Sequence, residues 1–130
     1  MTALSVLYVD DEPDIREVAA LALGIDPAIT VTLAGSGREA LAAVRGEGAA
    51  FDVVMLDVMM PGMDGPTVLE ALRADADTAS IPVVFITART NAHDRERLMQ
   101  LGAQAVIAKP FDPMMLAKEL RSVLMGEAAA

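Results

Sequence analysis

Polar and charged side chains follow several short apolar runs of the sequence, at the points where the runs end. Asp10 and Asp11 follow the first run, Asp57 the third, Thr87 the fourth and Lys109 the fifth. If the runs are strands of one parallel sheet, ligands are expected beyond their carboxyl ends, at one edge of the sheet. The sequence therefore predicts that three carboxylates, one hydroxyl and one ammonium group converge at this edge.

Three carboxylates at one edge repel one another unless a proton or a cation neutralises them. Two carboxylates about 4 Å apart repel by roughly 4 kcal/mol at an effective dielectric constant near 20. A hard divalent cation would relieve this repulsion, and oxygen ligands in a chain without cysteine favour Mg²⁺ over Zn²⁺. Because Mg²⁺ commonly serves phosphate chemistry, the threonine and the lysine beside the acids indicate phosphoryl transfer.

Other ways of binding a phosphate fit the sequence less well. The P-loop pattern Gly-x-x-x-x-Gly-Lys-Ser/Thr is absent, and acids rather than glycines follow the first run. The dinucleotide-binding pattern Gly-x-Gly-x-x-Gly is also absent. A flavin-binding protein remains an alternative, although the acidic first loop would repel the flavin phosphate.

The elements that must position these residues alternate along the chain. Apolar and β-branched runs predict five strands, over residues 4–9, 29–34, 53–56, 82–86 and 105–108. Apolar residues at helical spacing follow each strand, which predicts five helices. Strands that are apolar throughout are typical of a parallel sheet covered by helices on both faces. The expected fold class is doubly wound α/β with five β–α units.

Polar residues are expected to begin three of these helices. Ser36 and Glu39 have the spacing of a capping box, and Asp64 is the expected cap of the third helix. Asp112 followed by Pro113 is expected to open the fifth helix.

Composition and charge limit the classes of function. The chain has 130 residues, of which 54% are hydrophobic, and a formal net charge of −9. We expect one domain over residues 1–126 with a short tail at 127–130. The negative charge predicts no direct DNA binding and no binding to an anionic membrane, and no run approaches the roughly 20 apolar residues of a membrane helix. The lack of cysteine is compatible with the cytoplasmic location that we expect.

Four motifs, taken in order, make the chain resemble the CheY-like receiver domain of bacterial two-component response regulators. The motifs are Val9-Asp10-Asp11-Glu12-Pro13, Leu56-Asp57-Val58-Met59-Met60-Pro61-Gly62-Met63-Asp64-Gly65, Ile86-Thr87-Ala88 and Lys109-Pro110-Phe111. The likeness runs from about Leu4 to Leu124. It implies a flavodoxin-like sheet with strand order 2-1-3-4-5, in which the first and third strands are neighbours.

The resemblance also implies which residues hold the metal ion and accept the phosphoryl group. Asp57 would be the phosphoacceptor, a carboxylate nucleophile that attacks a phosphohistidine. Asp11, Asp57 and the Met59 carbonyl would bind Mg²⁺ directly, and Asp10 would act mainly through water.

Further roles are implied for residues of the fourth and fifth strands. Thr87 would donate its hydroxyl to the phosphoryl group, and Lys109 would neutralise a phosphoryl oxygen, with a cis bond to Pro110. One position departs from the family pattern, because Val106 stands where a Tyr or Phe usually rotates inward when the threonine moves. We therefore expect switching through Thr87 and the helix that follows it, with Val106 as a passive packing residue.

The resemblance implies a signalling switch whose only chemistry is its own aspartyl phosphorylation and dephosphorylation. A sensor histidine kinase or a phosphotransfer protein would donate the phosphoryl group. A downstream protein partner would bind the face formed by helix four, strand five and helix five. We expect a stand-alone receiver, with a fragment of a longer regulator or hybrid kinase as the alternative. A phosphorylation-independent interaction module with the same fold also remains open, supported by Val106.

Overall fold

Five β–α units follow one another in the computed structural model, which describes residues 2–46, 48 and 50–125. The strands are β1 (Leu4–Val9), β2 (Ile29–Ala34), β3 (Val53–Asp57), β4 (Val83–Thr87) and β5 (Ala105–Ala108). The helices are α1 (Pro13–Leu23), α2 (Gly37–Arg45), α3 (Gly65–Ala74), α4 (Ala92–Gln100) and α5 (Leu116–Leu124). The predicted doubly wound α/β fold is confirmed. The expected tail at 127–130 and its boundary at residue 126 lie outside the described residues.

The five strands form one parallel sheet with the order β2-β1-β3-β4-β5, as the resemblance implied. Val9 pairs with Leu56, and Asp57 pairs with Ile86. The carboxyl ends of β1, β3 and β4 are therefore nearly level. Lys109 follows directly after β5, and its N–H donates to the Thr87 carbonyl at 2.8 Å. The register thus brings the polar residues that end these strands to one edge.

Alternate strand residues face opposite sides of the sheet, so the sheet has two hydrophobic cores. One side, which includes Leu56 and Phe85, packs against α2, α3 and α4. The other side, which includes Tyr8 and Met55, packs against α1 and α5. All residues of β3 and β4 are buried, which explains why these two strands are apolar until their last residue. No helix in the described part of the chain is long and apolar enough to span a membrane.

Two helix starts were predicted correctly. The Ser36 side chain accepts a hydrogen bond from the Glu39 N–H at 3.1 Å, and the Asp64 side chain accepts one from the Thr67 N–H at 2.9 Å. The Glu39 carboxylate accepts from the Gly35 N–H at 3.1 Å. The second bond of the expected capping box therefore reaches one residue further back than Ser36.

The predicted start of the fifth helix was wrong. Asp112 accepts a hydrogen bond from the Met114 N–H at 2.9 Å through its side chain, and its carbonyl accepts from Leu116 N–H at 3.0 Å. These bonds form a turn, and α5 begins only at Leu116. The reason is that an aspartate side chain can accept from an N–H two residues on in a turn as readily as it caps a helix.

Candidate functional site

Four of the predicted side chains meet at the carboxyl edge of the sheet. The carboxylates of Asp10, Asp11 and Asp57 each offer an oxygen, and these oxygens lie within 4.8 Å of one another. The Lys109 Nζ lies 2.8 Å from Asp10 Oδ2 and 3.4 Å from Asp57 Oδ2. We call these four residues the acid cluster. Three carboxylates against one ammonium group leave the cluster with an excess of negative charge.

Asp10 is fixed on both of its side-chain oxygens. It is fully buried, and its Oδ1 accepts a hydrogen bond from the Glu12 N–H at 2.9 Å while Oδ2 faces Lys109. The Arg16 guanidinium donates to the Asp10 carbonyl at 2.7 Å and anchors the same loop to α1. Both Asp10 oxygens are thus engaged within the protein, which supports the expectation that Asp10 would reach a metal ion through water.

Asp57 ends β3, and only 4% of its surface is exposed. Burial, and after it the negative charge of Asp10, raises the pKa of Asp57 to about 6. Lys109 and the Met59 N–H, which donates to Asp57 Oδ1 at 3.4 Å, partly offset this rise. Because the pKa of Asp57 stays below 7, its carboxylate is mostly ionised at neutral pH and can act as a nucleophile.

Lys109 keeps its positive charge at the cluster. Burial alone would lower the pKa of Lys109, but its contacts with Asp10 and Asp57 outweigh this effect and raise the pKa. The peptide bond from Lys109 to Pro110 is cis, as expected. The cation is therefore shared between two carboxylates rather than bound to one.

A close approach of α3 fixes the loop that follows Asp57. The Gly65 N–H donates to the Val58 carbonyl at 3.0 Å, and a Cβ at Gly65 would lie only 2.6 Å from the Asp57 carbonyl oxygen. Gly62, in the same loop, has a φ of +80°, which glycine adopts without strain. Gly62 thus allows the loop to turn, and Gly65 allows the start of α3 to pack directly against the backbone of Asp57.

The donors at the acid cluster suit a hard divalent cation. The three carboxylates carry excess negative charge, and Asp11 is only half-buried, so the cluster is open to solvent on one side. Met59 is 63% exposed, and its backbone N–H lies 3.4 Å from Asp57 Oδ1. Oxygen donors of this kind match Mg²⁺. Asp11, Asp57 and the Met59 carbonyl are the groups that would bind it.

The comparison with known proteins gives the family. The chain matches the family described as response regulator receiver domain over residues 6–121. The chain belongs to this family. It is thus the receiver domain of a two-component response regulator, a phosphorylatable switch, and receiver domains typically bind Mg²⁺ at an acidic pocket.

Curated proteins of several organisms contain a segment similar to this chain. The chain is 39% identical over 127 residues to response regulator Rre1 of Synechocystis sp., and the match covers 98% of this chain and 54% of that protein. It is 38% identical over 122 residues to DNA-binding response regulator MtrA of Mycolicibacterium smegmatis, covering 92% of this chain and 50% of that protein. The chain spans about half the length of these curated relatives.

Solved structures support the same fold. Chemotaxis response regulator CheY4 of Vibrio cholerae superposes with a TM-score of 0.83 at 35% identity, covering 94% of this chain and 99% of that one. The receiver domain of the putative response regulator NarL of Mycobacterium tuberculosis superposes with a TM-score of 0.83 at 27% identity, covering 98% of this chain and 100% of that one. Chains of similar length and regulators about twice as long thus both resemble this domain.

The prediction of no direct DNA binding is contradicted by these relatives. They include a protein named as a DNA-binding response regulator and others named as probable transcriptional regulators. The prediction failed because the net charge of −9 describes these 130 residues alone. The matched segment makes up only about half of each such relative, so the charge of a receiver domain says nothing about DNA binding by the rest of a regulator.

Thr87 lies at the same edge of the receiver domain, but its hydroxyl is engaged elsewhere. The side chain is buried, and its Oγ1 accepts a hydrogen bond from the Arg89 N–H at 3.0 Å. A cavity beside Thr87 is lined by Val58, Arg97 and Leu98 among others. Thr87 is therefore linked to the loop that leads into α4, with open space next to it.

The sequence analysis missed one polar group near the acid cluster. Tyr8 lies on β1 and is fully buried, and its hydroxyl makes no well-formed hydrogen bond among the described residues. Burial, then the charges of Asp10 and Asp57, and then the nearby Asp10 side chain as a hydrogen-bond acceptor strongly raise the pKa of Tyr8. The signal in the sequence was the position of Tyr8 two residues before Asp10, which places both on the same face of the strand.

Proposed function

We propose that Asp57 accepts a phosphoryl group from a phosphohistidine on a sensor kinase or a phosphotransfer protein. One observation carries this proposal. The ionised Asp57 carboxylate lies beside Lys109 and within reach of two further carboxylates, at the edge where sheets of this class bind ligands. This arrangement pairs a nucleophile with the cation that its phosphorylated form requires.

The proposed transfer uses the charges already at the cluster. An Asp57 oxygen attacks the phosphorus atom, a P–O bond forms while the P–N bond of the phosphohistidine breaks, and the imidazole leaves with the electron pair and takes a proton from solvent. Lys109 Nζ lies 3.4 Å from Asp57 Oδ2. It is therefore close enough to form an ion pair with a phosphoryl oxygen once Asp57 is phosphorylated. Mg²⁺ would supply further positive charge to these oxygens when bound by Asp11, Asp57 and the Met59 carbonyl.

We propose that the signal leaves the site through Thr87. Movement of the Thr87 hydroxyl towards a phosphoryl oxygen would break its bond with the Arg89 N–H, and the neighbouring cavity gives the loop room to follow. The loop leads directly into α4, so the face of α4, β5 and α5 would change and a downstream protein partner would read it. Val106 is 8% exposed and packs in the core, which supports a passive role for this residue.

A phosphorylation-independent interaction module is the second candidate. The observation that favours it is Val106, since a valine cannot make the large rotation of an aromatic ring. The hypothesis of an interaction module does not explain why buried carboxylates and a Lys109 shared between two of them lie at this edge. We therefore favour the switch, whose own chemistry is limited to its aspartyl phosphate.

A mass measurement tests the proposed chemistry. The protein is incubated with Mg²⁺ and a small acyl phosphate, and a gain of one phosphoryl group is expected. Asp57→Asn should prevent the gain, and chelation of Mg²⁺ should suppress it. Asp77→Asn, at an exposed residue after α3, is the matched control and should be phosphorylated normally. Equal labelling of the Asp57→Asn variant would falsify the assignment.

A further inference from the structure

Two buried oxygen atoms near the end of β1 have incomplete hydrogen bonding. The Tyr8 hydroxyl makes no well-formed hydrogen bond among the described residues, and Asp10 Oδ2 is held by its 2.8 Å ion pair with Lys109 without a well-formed hydrogen bond. One atom can donate and the other can accept. Buried polar groups in proteins are nearly always paired, so a donor without a well-formed bond beside an acceptor held by a single ion pair calls for an explanation.

Packing does not explain the hydroxyl. Tyr8 lies in the core against α1 and α5 with no exposed surface, where a phenylalanine would fill nearly the same space without burying a polar atom. A buried hydroxyl without a partner destabilises the fold. The hydroxyl therefore bonds either to water or to a protein group that becomes its partner in another state of the protein.

Tyr8 and Asp10 lie on the same face of β1, and Asp10 acts on the Tyr8 phenol both through its charge and as a hydrogen-bond acceptor. Residues two apart on a strand lie on the same face, which places Tyr8 beside Asp10. The carboxylates whose charges act on the phenol are Asp10, Asp57 and Glu12, all at this edge of the sheet. An acceptor for the hydroxyl thus lies next to it whenever Asp10 Oδ2 becomes free.

We propose that Tyr8 is a positioning residue that replaces Lys109 as the partner of Asp10 in the phosphorylated state. The inference rests on the proposed function, in which Lys109 turns to a phosphoryl oxygen. That movement would remove the ion pair of the buried Asp10 Oδ2, and the loss of a direct partner is unfavourable for a charged group. The Tyr8 hydroxyl donates to Oδ2 instead, keeps the Asp10 carboxylate in place and favours the phosphorylated state.

The chain itself supplies a specific probe, because Tyr8 is its one tyrosine and it has no tryptophan. A phenol that donates to a carboxylate absorbs at longer wavelength in the near ultraviolet and fluoresces less. The spectrum is recorded before and after phosphorylation by Mg²⁺ and an acyl phosphate, with the mass of the same sample. We expect a red shift and weaker fluorescence in samples that gain one phosphoryl group, and an unchanged spectrum in the Asp57→Asn variant.

The outcomes separate this inference from the proposed function. A gain of one phosphoryl group with an unchanged tyrosine spectrum overturns the role of Tyr8 and leaves the role of Asp57 intact. The absence of any mass gain overturns both.

Tyr8→Phe provides a second measurement that a purely structural role would not explain. The probe is beryllium trifluoride, which takes the place of a phosphoryl group on a carboxylate, and its binding with Mg²⁺ is measured by calorimetry. We expect about tenfold weaker binding in the variant, since a hydrogen bond to a charged group is lost, with Mg²⁺ affinity maintained and thermal stability equal to or above that of the wild type. Equal affinity in both proteins, or an equal loss of affinity for Mg²⁺ alone, overturns the inference.

Discussion

Ionisation of Asp57 opposes folding when no metal ion is bound. Burial and the charge of Asp10 raise the pKa of Asp57 from its ordinary value of 3.8 to about 6 in the folded protein. The unfolded chain therefore loses this proton at lower pH than the folded chain. Stability falls as the pH rises between these two values, and the full loss is present above pH 6. At 1.36 kcal/mol per unit the loss amounts to about 3 kcal/mol.

Asp57→Asn removes this charge and nearly keeps the shape of the side chain. In metal-free protein we expect the variant to gain about 3 kcal/mol in free energy of unfolding at a pH near 8 and less than ~1 kcal/mol near pH 4. Asparagine also changes local hydrogen bonds, so the informative quantity is the pH dependence of the difference between the two proteins. That difference should change by about 2 kcal/mol over this range.

Urea unfolding in the presence of a chelator measures the difference at each pH. Asp77→Asn removes an exposed carboxylate and should give a much smaller change between the two conditions. Mg²⁺ added near pH 8 should stabilise the wild-type protein and narrow the gap, because a ligand that binds only the folded state raises its stability. A difference between Asp57→Asn and wild type that is the same at both pH values would refute the electrostatic reasoning.

Three further predictions concern other residues of the site. Asp11→Ala should raise the midpoint of thermal unfolding of the metal-free protein, because it reduces the repulsion between the carboxylates of the acid cluster. It should also remove the increase of this midpoint with Mg²⁺. A midpoint that still increases with Mg²⁺ would contradict the metal site. Lys109→Arg should leave the circular dichroism spectrum unchanged but should reduce the effect of phosphorylation on amide hydrogen exchange in α4. The reason is that a flat guanidinium group does not replace a compact ammonium group. A normal exchange response in this variant would contradict the proposed role of Lys109. Thr87→Ala should abolish the same response, whereas Val106→Ala should preserve it and lower stability by about 2 kcal/mol in urea unfolding; the opposite pattern would exclude the proposed route.

The edge of the sheet that carries the site could be predicted from the sequence, because buried parallel strands are apolar along their length. The first polar residue after each apolar run therefore marks the end of a strand at this edge. The pattern placed the ends of two strands one residue early, since Asp57 still pairs with Ile86 and Thr87 with Ala108. A change of side-chain chemistry does not end a backbone hydrogen-bond ladder. Strand order came from the resemblance, because an apolar run carries no information about its neighbour.

Other features required the folded structure. The spacing of Tyr8 and Asp10 places both on one strand face, but the sequence does not show whether the Tyr8 hydroxyl is paired, since a tyrosine in an apolar run is an ordinary core residue. The position of Asp112 before Pro113 favoured a helix start, yet the same side-chain oxygen closes a turn. In both cases the residue type is compatible with two local geometries, and only tertiary contacts decide between them.

The α4 helix is also joined to β5 by a contact that does not depend on side-chain identity in the strand. The Arg95 guanidinium donates to the Val106 carbonyl at 3.0 Å, and a backbone carbonyl is present whatever residue occupies position 106. Val106 is buried in the core, so substitution at 106 can alter the packing beneath α4 while this contact to α4 persists. Substitution at 95 would remove the contact and leave the side chain at 106 unaltered. The core residue at position 106 and the residue that holds the helix to β5 can thus vary independently in evolution.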